Sequence, residues 1–165
     1  MRNLPSCNVV ADYFLLHVNA MDGDTISNLK IQKLCYYAQA WSLARNDEPL
    51  FADQIEAWAH GPVVPELYRR FKKYGSGSID ALELVTDPED ELHEDHKKHL
   101  AEIWQKYGRL SGSQLRNLSH AEEPWITARA GCRPAEYCNT EITHNSMRNY
   151  YKGLLAKNND ADTRS

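Results

Sequence analysis

Apolar positions in the first third of the chain recur at helical spacing. After Ser6, Val10, Tyr13, Phe14 and His17 fall on one side of a helix predicted to run through residues 7–21. The polar stretch DGDT then breaks the pattern. Ser27 is placed to cap a second helix over 28–46. Ile31, Leu34, Ala38, Trp41 and Arg45 trace one stripe on it, and Leu34, Tyr37, Trp41 and Ala44 an overlapping one. So wide an apolar face predicts a central helix, with Lys30, Lys33 and Gln39 left for a polar side.

The period changes at IEAWAH, residues 55–60, where Ile55, Ala57 and Ala59 alternate with Glu56, Trp58 and His60. This is the strongest strand signal in the chain, and it is short. Gly61 gives backbone freedom and Pro62 fixes φ, so a sharp turn is predicted. Pro65 suits the first position of a helix, where a missing N–H removes no bond. Leu67, Phe71 and Tyr74 continue that helix to Gly75. GSGSID reads as a flexible link. Asp87-Pro88-Glu89 then predicts a long helix carrying Leu92, His96, His99, Ile103 and Tyr107, ending at Gly108. Short helices follow from Ser113 and from Pro124. Thr143 caps a last helix whose face is Met147, Tyr150, Tyr151, Leu154 and Leu155. The elements predict a mainly α fold: a single compact, irregular helical bundle over 1–157, at most a small β element near 55–59, and a disordered tail over 158–165.

Composition agrees with a folded domain: 165 residues, 42% hydrophobic and 25% charged. The net charge of −4 gives no nucleic-acid signature. No apolar run approaches the ~20 residues of a membrane span, and the start lacks a long apolar core and a small-residue cleavage site. A cytoplasmic location is expected. Cys7, Cys35, Cys132 and Cys138 then read as reduced thiols. Cys132 and Cys138, with His144 beyond, lack the Cys-x-x-Cys spacing of a metal site. His93, His96 and His99 lie three apart, but such steps drift around a helix. No metal and no cofactor is predicted. Catalytic signatures are absent: no Gly-x-Ser-x-Gly, no phosphate loop, no dinucleotide fingerprint, no His-Glu-x-x-His. A hydrolase built from His60, Glu66, Tyr68 and His120 stays open on the sequence, and requires those groups to converge in a cleft. Arg69, Arg70, Lys72 and Lys73 form a basic cluster, read first as a solvated face and second as a patch for an acidic partner.

The motifs LKIQKLCYYAQAW, PLFADQIEAWAHGPVVPELYRRFKKYG, LSHAEEPWITAR and MRNYY occur in that order. In order and approximate spacing they resemble the Panacea domain family, the SocA-like antitoxins and phage-associated GepA-like proteins, across roughly residues 8–155. The resemblance implies a small helical cytoplasmic protein of a bacterium or prophage, and no catalytic constellation. It implies the antitoxin half of a toxin–antitoxin pair, with a cognate toxin protein as partner. A cellular protease is a second implied partner, because at least one relative is thought to deliver its toxin for degradation. No DNA-binding segment accompanies the motifs, so no nucleic-acid partner is expected. The family does not say which residues touch the toxin. A rigid turn presents groups at little ordering cost. On that ground the expected partner-binding residues are His60, Gly61, Pro62, Pro65, Tyr68 and Arg69, with Lys30 and Lys33 on the neighbouring helix. Trp41, Trp58, Tyr37 and Phe71 are expected to pack in the core.

Overall fold

The computed structural model describes residues 3–18, 24–80 and 83–164. Helix α1 spans Cys7–His17, and Ser6 caps it by accepting from Val9 N at 3.3 Å. The sequence-based end of this helix, and the first half of the polar break after it, lie outside the described residues. Helix α2 spans Asn28–Asn46, as the pattern predicts, with Ser27 Oγ accepting from Lys30 N. Every residue from Lys30 to Ala44 is buried. The polar side expected for Lys30, Lys33 and Gln39 therefore does not exist, because α1, three helices from later in the chain and a β-hairpin surround α2.

A helix buried all round must find partners for its polar groups. Gln39 Oε1 accepts from Leu50 N at 2.7 Å and Phe51 N at 3.2 Å, and its Nε2 donates to Phe51 O at 2.8 Å. The connector after α2 is thus fastened to the helix it leaves. Trp41 Nε1 donates to Tyr107 Oη at 2.7 Å. Around these bonds lie Phe14, Leu34, Tyr36, Tyr37, Leu43, Leu100 and Ile103, all buried. Each fully buried large apolar side chain contributes roughly 1.5–3 kcal/mol.

Strand β1, Glu56–Trp58, pairs antiparallel with β2, Gly61–Val63, in the register Glu56↔Val63, Ala57↔Pro62, Trp58↔Gly61. Gly61 and Pro62 belong to the second strand, and Ala59-His60 makes the turn. Pro62 offers no N–H to Ala57, whose own N–H donates outward to Thr140 O at 2.8 Å. Helix α3 is Pro65–Phe71, with Pro65 in its first turn. A tight turn over Lys72–Tyr74 and Gly75, at φ +56°, end it.

The link at 75–80 is anchored: Ile79 N donates to Ile26 O at 2.8 Å, and Ile79 is buried. The helix expected after Asp87 is two helices, α4 over Pro88–Glu91 and α5 over Glu94–Tyr107. His93 sits between them as the cap of α5, so His93, His96 and His99 do not share one continuous helix. His99 is buried, its Nε2 2.9 Å from Ala38 O. No group of metal-binding residues occurs among the described residues. Helix α6, Gly112–His120, is capped by Ser111 rather than Ser113, through a capping box with Gln114. Helix α7 is Glu123–Ala128. Helix α8 runs His144–Arg164, with Thr143 Oγ1 accepting from Ser146 N at 3.1 Å. It continues past the last apolar position, Leu155, with residues 156–162 exposed. The chain is mainly α, as expected, with one small antiparallel hairpin. Among the described residues no helix is long and apolar enough to cross a membrane.

Candidate functional site

The hairpin and α2 meet over Lys33. Gly61 has φ +109°, a region L side chains rarely adopt. A Cβ there would overlap Lys33 Cε and stand 3.1 Å from Ser119 Oγ. Glycine is therefore required twice, for the backbone angle and for passage of the lysine stem. Lys33 is 0% exposed, and its Nζ donates to Pro62 O at 3.0 Å. Burial, with Arg116 nearby acting in the same direction, pulls its pKa down to about 7. One residue earlier, Gln32 Oε1 accepts from Val64 N at 2.8 Å, which fixes the entry to α3. Gln32-Lys33 thus brace His60-Gly61-Pro62 from beneath.

Beside this brace opens a pocket of about 620 Å3, lined among others by Lys33, Trp58, His60, Tyr68, Arg116 and Tyr137. The Trp58 ring meets Tyr68 edge-on at 4.8 Å and Tyr137 at 6.0 Å. Trp58, expected in the core, is half-buried and forms pocket wall. Tyr137 is 72% exposed.

The loop carrying Tyr137 is held by Arg129, which the sequence reading passed over. Its guanidinium donates to Ala57 O at 2.9 Å, Arg133 O at 2.8 Å and Glu136 O at 2.7 Å. Buried at the end of PWITAR, it satisfies its donors on carbonyls of the hairpin and the loop. The same loop is closed by a disulfide between Cys132 and Cys138, with Cα atoms 6.4 Å apart, in place of the two free thiols expected. The tight turn fastened by Arg129 brings these cysteines together. Cys7 and Cys35 are free and buried. Trp125 Nε1 donates to Trp58 O at 2.8 Å, and His120 stacks on Trp125 at 3.9 Å. His120 Nε2 is buried without a partner, and burial, then Arg116 and Lys33, push its pKa down to about 4.

The expected contact residues divide into two sets. His60 and Arg69 are exposed, and Pro65 and Tyr68 half-buried. Gly61, Pro62, Lys30 and Lys33 are buried. The lysines are a correction to a surface reading: Lys30 Nζ donates to Gly108 O at 2.6 Å and Lys33 Nζ to Pro62 O, so both ammonium ends are spent inside the fold. In the basic cluster Arg69, Lys72 and Lys73 are exposed, as a solvated face requires, and most of the charge is matched by carboxylates. Arg70 pairs with buried Asp12, Lys73 with Glu83, and Arg69 with Glu66. The hydrolase set does not assemble: His60 and Tyr68 line the pocket, His120 and Glu66 do not, and Glu66 is engaged by Arg69. A second feature missed in the sequence is Glu122. It is buried, accepting from Tyr37 Oη at 2.5 Å and Tyr151 Oη at 3.0 Å, and desolvation raises its pKa.

Fold and site define a small, mainly helical protein built around a braced hairpin and the cleft beside it. The chain belongs to the antitoxin SocA-like, Panacea domain family, whose model matches residues 31–126. It is similar to Antitoxin SocA of Caulobacter vibrioides (strain NA1000 / CB15N), at 35% identity over 129 residues. That match covers 70% of this chain and 66% of the relative, so the chain spans just under two thirds of the relative's length. No solved structure matches.

Proposed function

We propose that this protein is a cytoplasmic antitoxin that neutralises a cognate toxin by direct protein–protein binding, without catalysis of its own. The observation that carries this is the family match over 31–126, which runs from within α2 through the hairpin and α3 to α6 and into α7. The docking face is the rim formed by His60, Pro65, Tyr68 and Arg69, with Tyr137 across the cleft. Gly61, Pro62 and Lys33 shape that rim from below, and Lys30 ties α2 to the end of α5. A face braced in this way presents its groups with little entropy left to lose on association. Tyrosine and arginine are the side chains that most often carry interface energy.

The test is co-expression with the product of the neighbouring open reading frame. The expected result is a complex that co-purifies and rescue of growth. His60→Ala with Arg69→Glu weakens the complex by about tenfold or more, as loss of interface anchors does. A neighbour that is harmless and never binds refutes the reading.

A further inference from the structure

The pocket beside the hairpin has a chemistry of its own. No Asp or Glu is among its lining residues. Its basic groups run from surface to interior: His60 exposed, Arg116 half-buried, Lys33 buried. Arg116 Nε is buried with no hydrogen-bond partner. Among the described residues no ion pair engages its guanidinium, whereas Arg45, Arg69, Arg70 and Arg148 all have carboxylates. Ser113, in the first turn of α6, also lines the pocket and brings the positive end of that helix to it. The remaining walls are mostly apolar and aromatic, with Asn28, Gln32 and Ser76 as neutral polar groups among them. A half-buried guanidinium that no carboxylate engages, lining a cleft with no acidic residue in its wall, is complementary to an anion with apolar substituents.

We propose that this pocket receives the C-terminal carboxylate of the partner protein, with that chain's last side chains lying against Trp58, Tyr68 and Tyr137. A volume of about 620 Å3 lies in the range of pockets that enclose whole small ligands, ~300–1,000 Å3. An acidic side chain projecting from a folded surface would fill little of it. A chain end brings a carboxylate and apolar side chains in together, a recognised mode of peptide capture. The inference rests on the toxin-binding reading only for the origin of that chain end. Arg116 and His120 are the charged and titratable groups that act on or with Lys33, and His60 and Arg129 act in turn on His120. A carboxylate brought to Arg116 favours the protonated lysine again, so binding at pH 8 takes up a proton.

The test has two arms. In the first, a pool of N-acetylated tripeptides with free C-termini, and the same pool amidated, are titrated into the isolated protein while the Trp58 indole N–H resonance is followed. The free acids are expected to shift it and the amides to bind about tenfold or more weakly. Arg116→Gln removes the difference, and calorimetry at pH 8 shows heats that depend on buffer ionisation. Equal binding of acids and amides, no binding of either pool, indifference to Arg116→Gln, or displacement by equimolar inorganic phosphate would each overturn the proposal. In the second arm the neighbouring gene product carries a Gly-Ser extension at its C-terminus. Loss of the complex supports the chain-end occupant, and an unimpaired complex overturns it. Tripeptide binding together with a neighbour that never binds the unextended way would sink the toxin reading and leave the carboxylate chemistry standing.

Discussion

Replacing Gly61 by alanine tests the brace directly, because two separable penalties meet at one atom. At φ +109° an alanine is strained, and residues held in such sparsely populated regions cost about 1–3 kcal/mol each. The added methyl also overlaps Lys33 Cε and lies 3.2 Å from Nζ, so the lysine has to leave its place. Its hydrogen bond to Pro62 O then breaks, which leaves a buried polar group unpaired at about 1–3 kcal/mol. The sum is about 2–6 kcal/mol, a large share of the ~5–15 kcal/mol that holds a domain of this kind together. In urea, with a slope of about 2 kcal/mol per M, the unfolding midpoint falls by roughly 1–3 M. The second variant isolates the cause. In a Lys33→Ala background the overlap is gone, and Gly61→Ala retains only the strain, about 1–3 kcal/mol. The double-mutant cycle therefore yields a coupling of about 1–3 kcal/mol, the cost of the displaced lysine. A midpoint shift under about 0.3 M, or strict additivity of the two substitutions, refutes the argument that Gly61 exists to let Lys33 pass.

The unfolded lysine binds its proton up to about pH 10.5, the buried one only up to about 7, so stability rises with pH between these values. From pH 7 to 9 the gain is about 2 kcal/mol, and Lys33→Met flattens it; a wild-type urea midpoint that falls over this range contradicts the assignment. Asp12 is buried against Arg70 and also accepts from Val85 N, Thr86 N and Thr86 Oγ1. Asp12→Ala leaves the nearly buried Arg70 guanidinium without its carboxylate, held only by Asn8 and Glu83 O, and lowers stability by about 3–5 kcal/mol, read by thermal unfolding. Arg129→Leu frees the Tyr137 loop from the hairpin: faster amide hydrogen exchange at 133–137 is expected, and unchanged exchange there removes Arg129 from its role.

Local chemistry wrote much of this fold into the chain. Helix α2 could be placed to the residue because Ser27 supplies its cap and two overlapping stripes leave no doubt about its period. The first strand of the hairpin, the proline-led start of α3 and the mainly helical class were likewise legible, since each depends on neighbours a few residues apart, whereas the second strand falls where the sequence read a turn. Three things were not. Lys30, Lys33 and Gln39 look like a polar face, and only packing on every side of α2 turns them into interior donors and acceptors. Glu122 and Arg129 look like ordinary surface charges, and only the approach of Tyr37 and Tyr151, or of the hairpin carbonyls, makes them buried anchors. The cleft assembles α2, the hairpin, α3, α6 and the 135–137 loop, segments up to about a hundred residues apart. Hydrophobic period and backbone propensity are short-range properties that a sequence states outright. Which polar groups lose water is decided by long-range contact, and here that decision converts a lysine, a glycine and a proline from separate motif letters into one site.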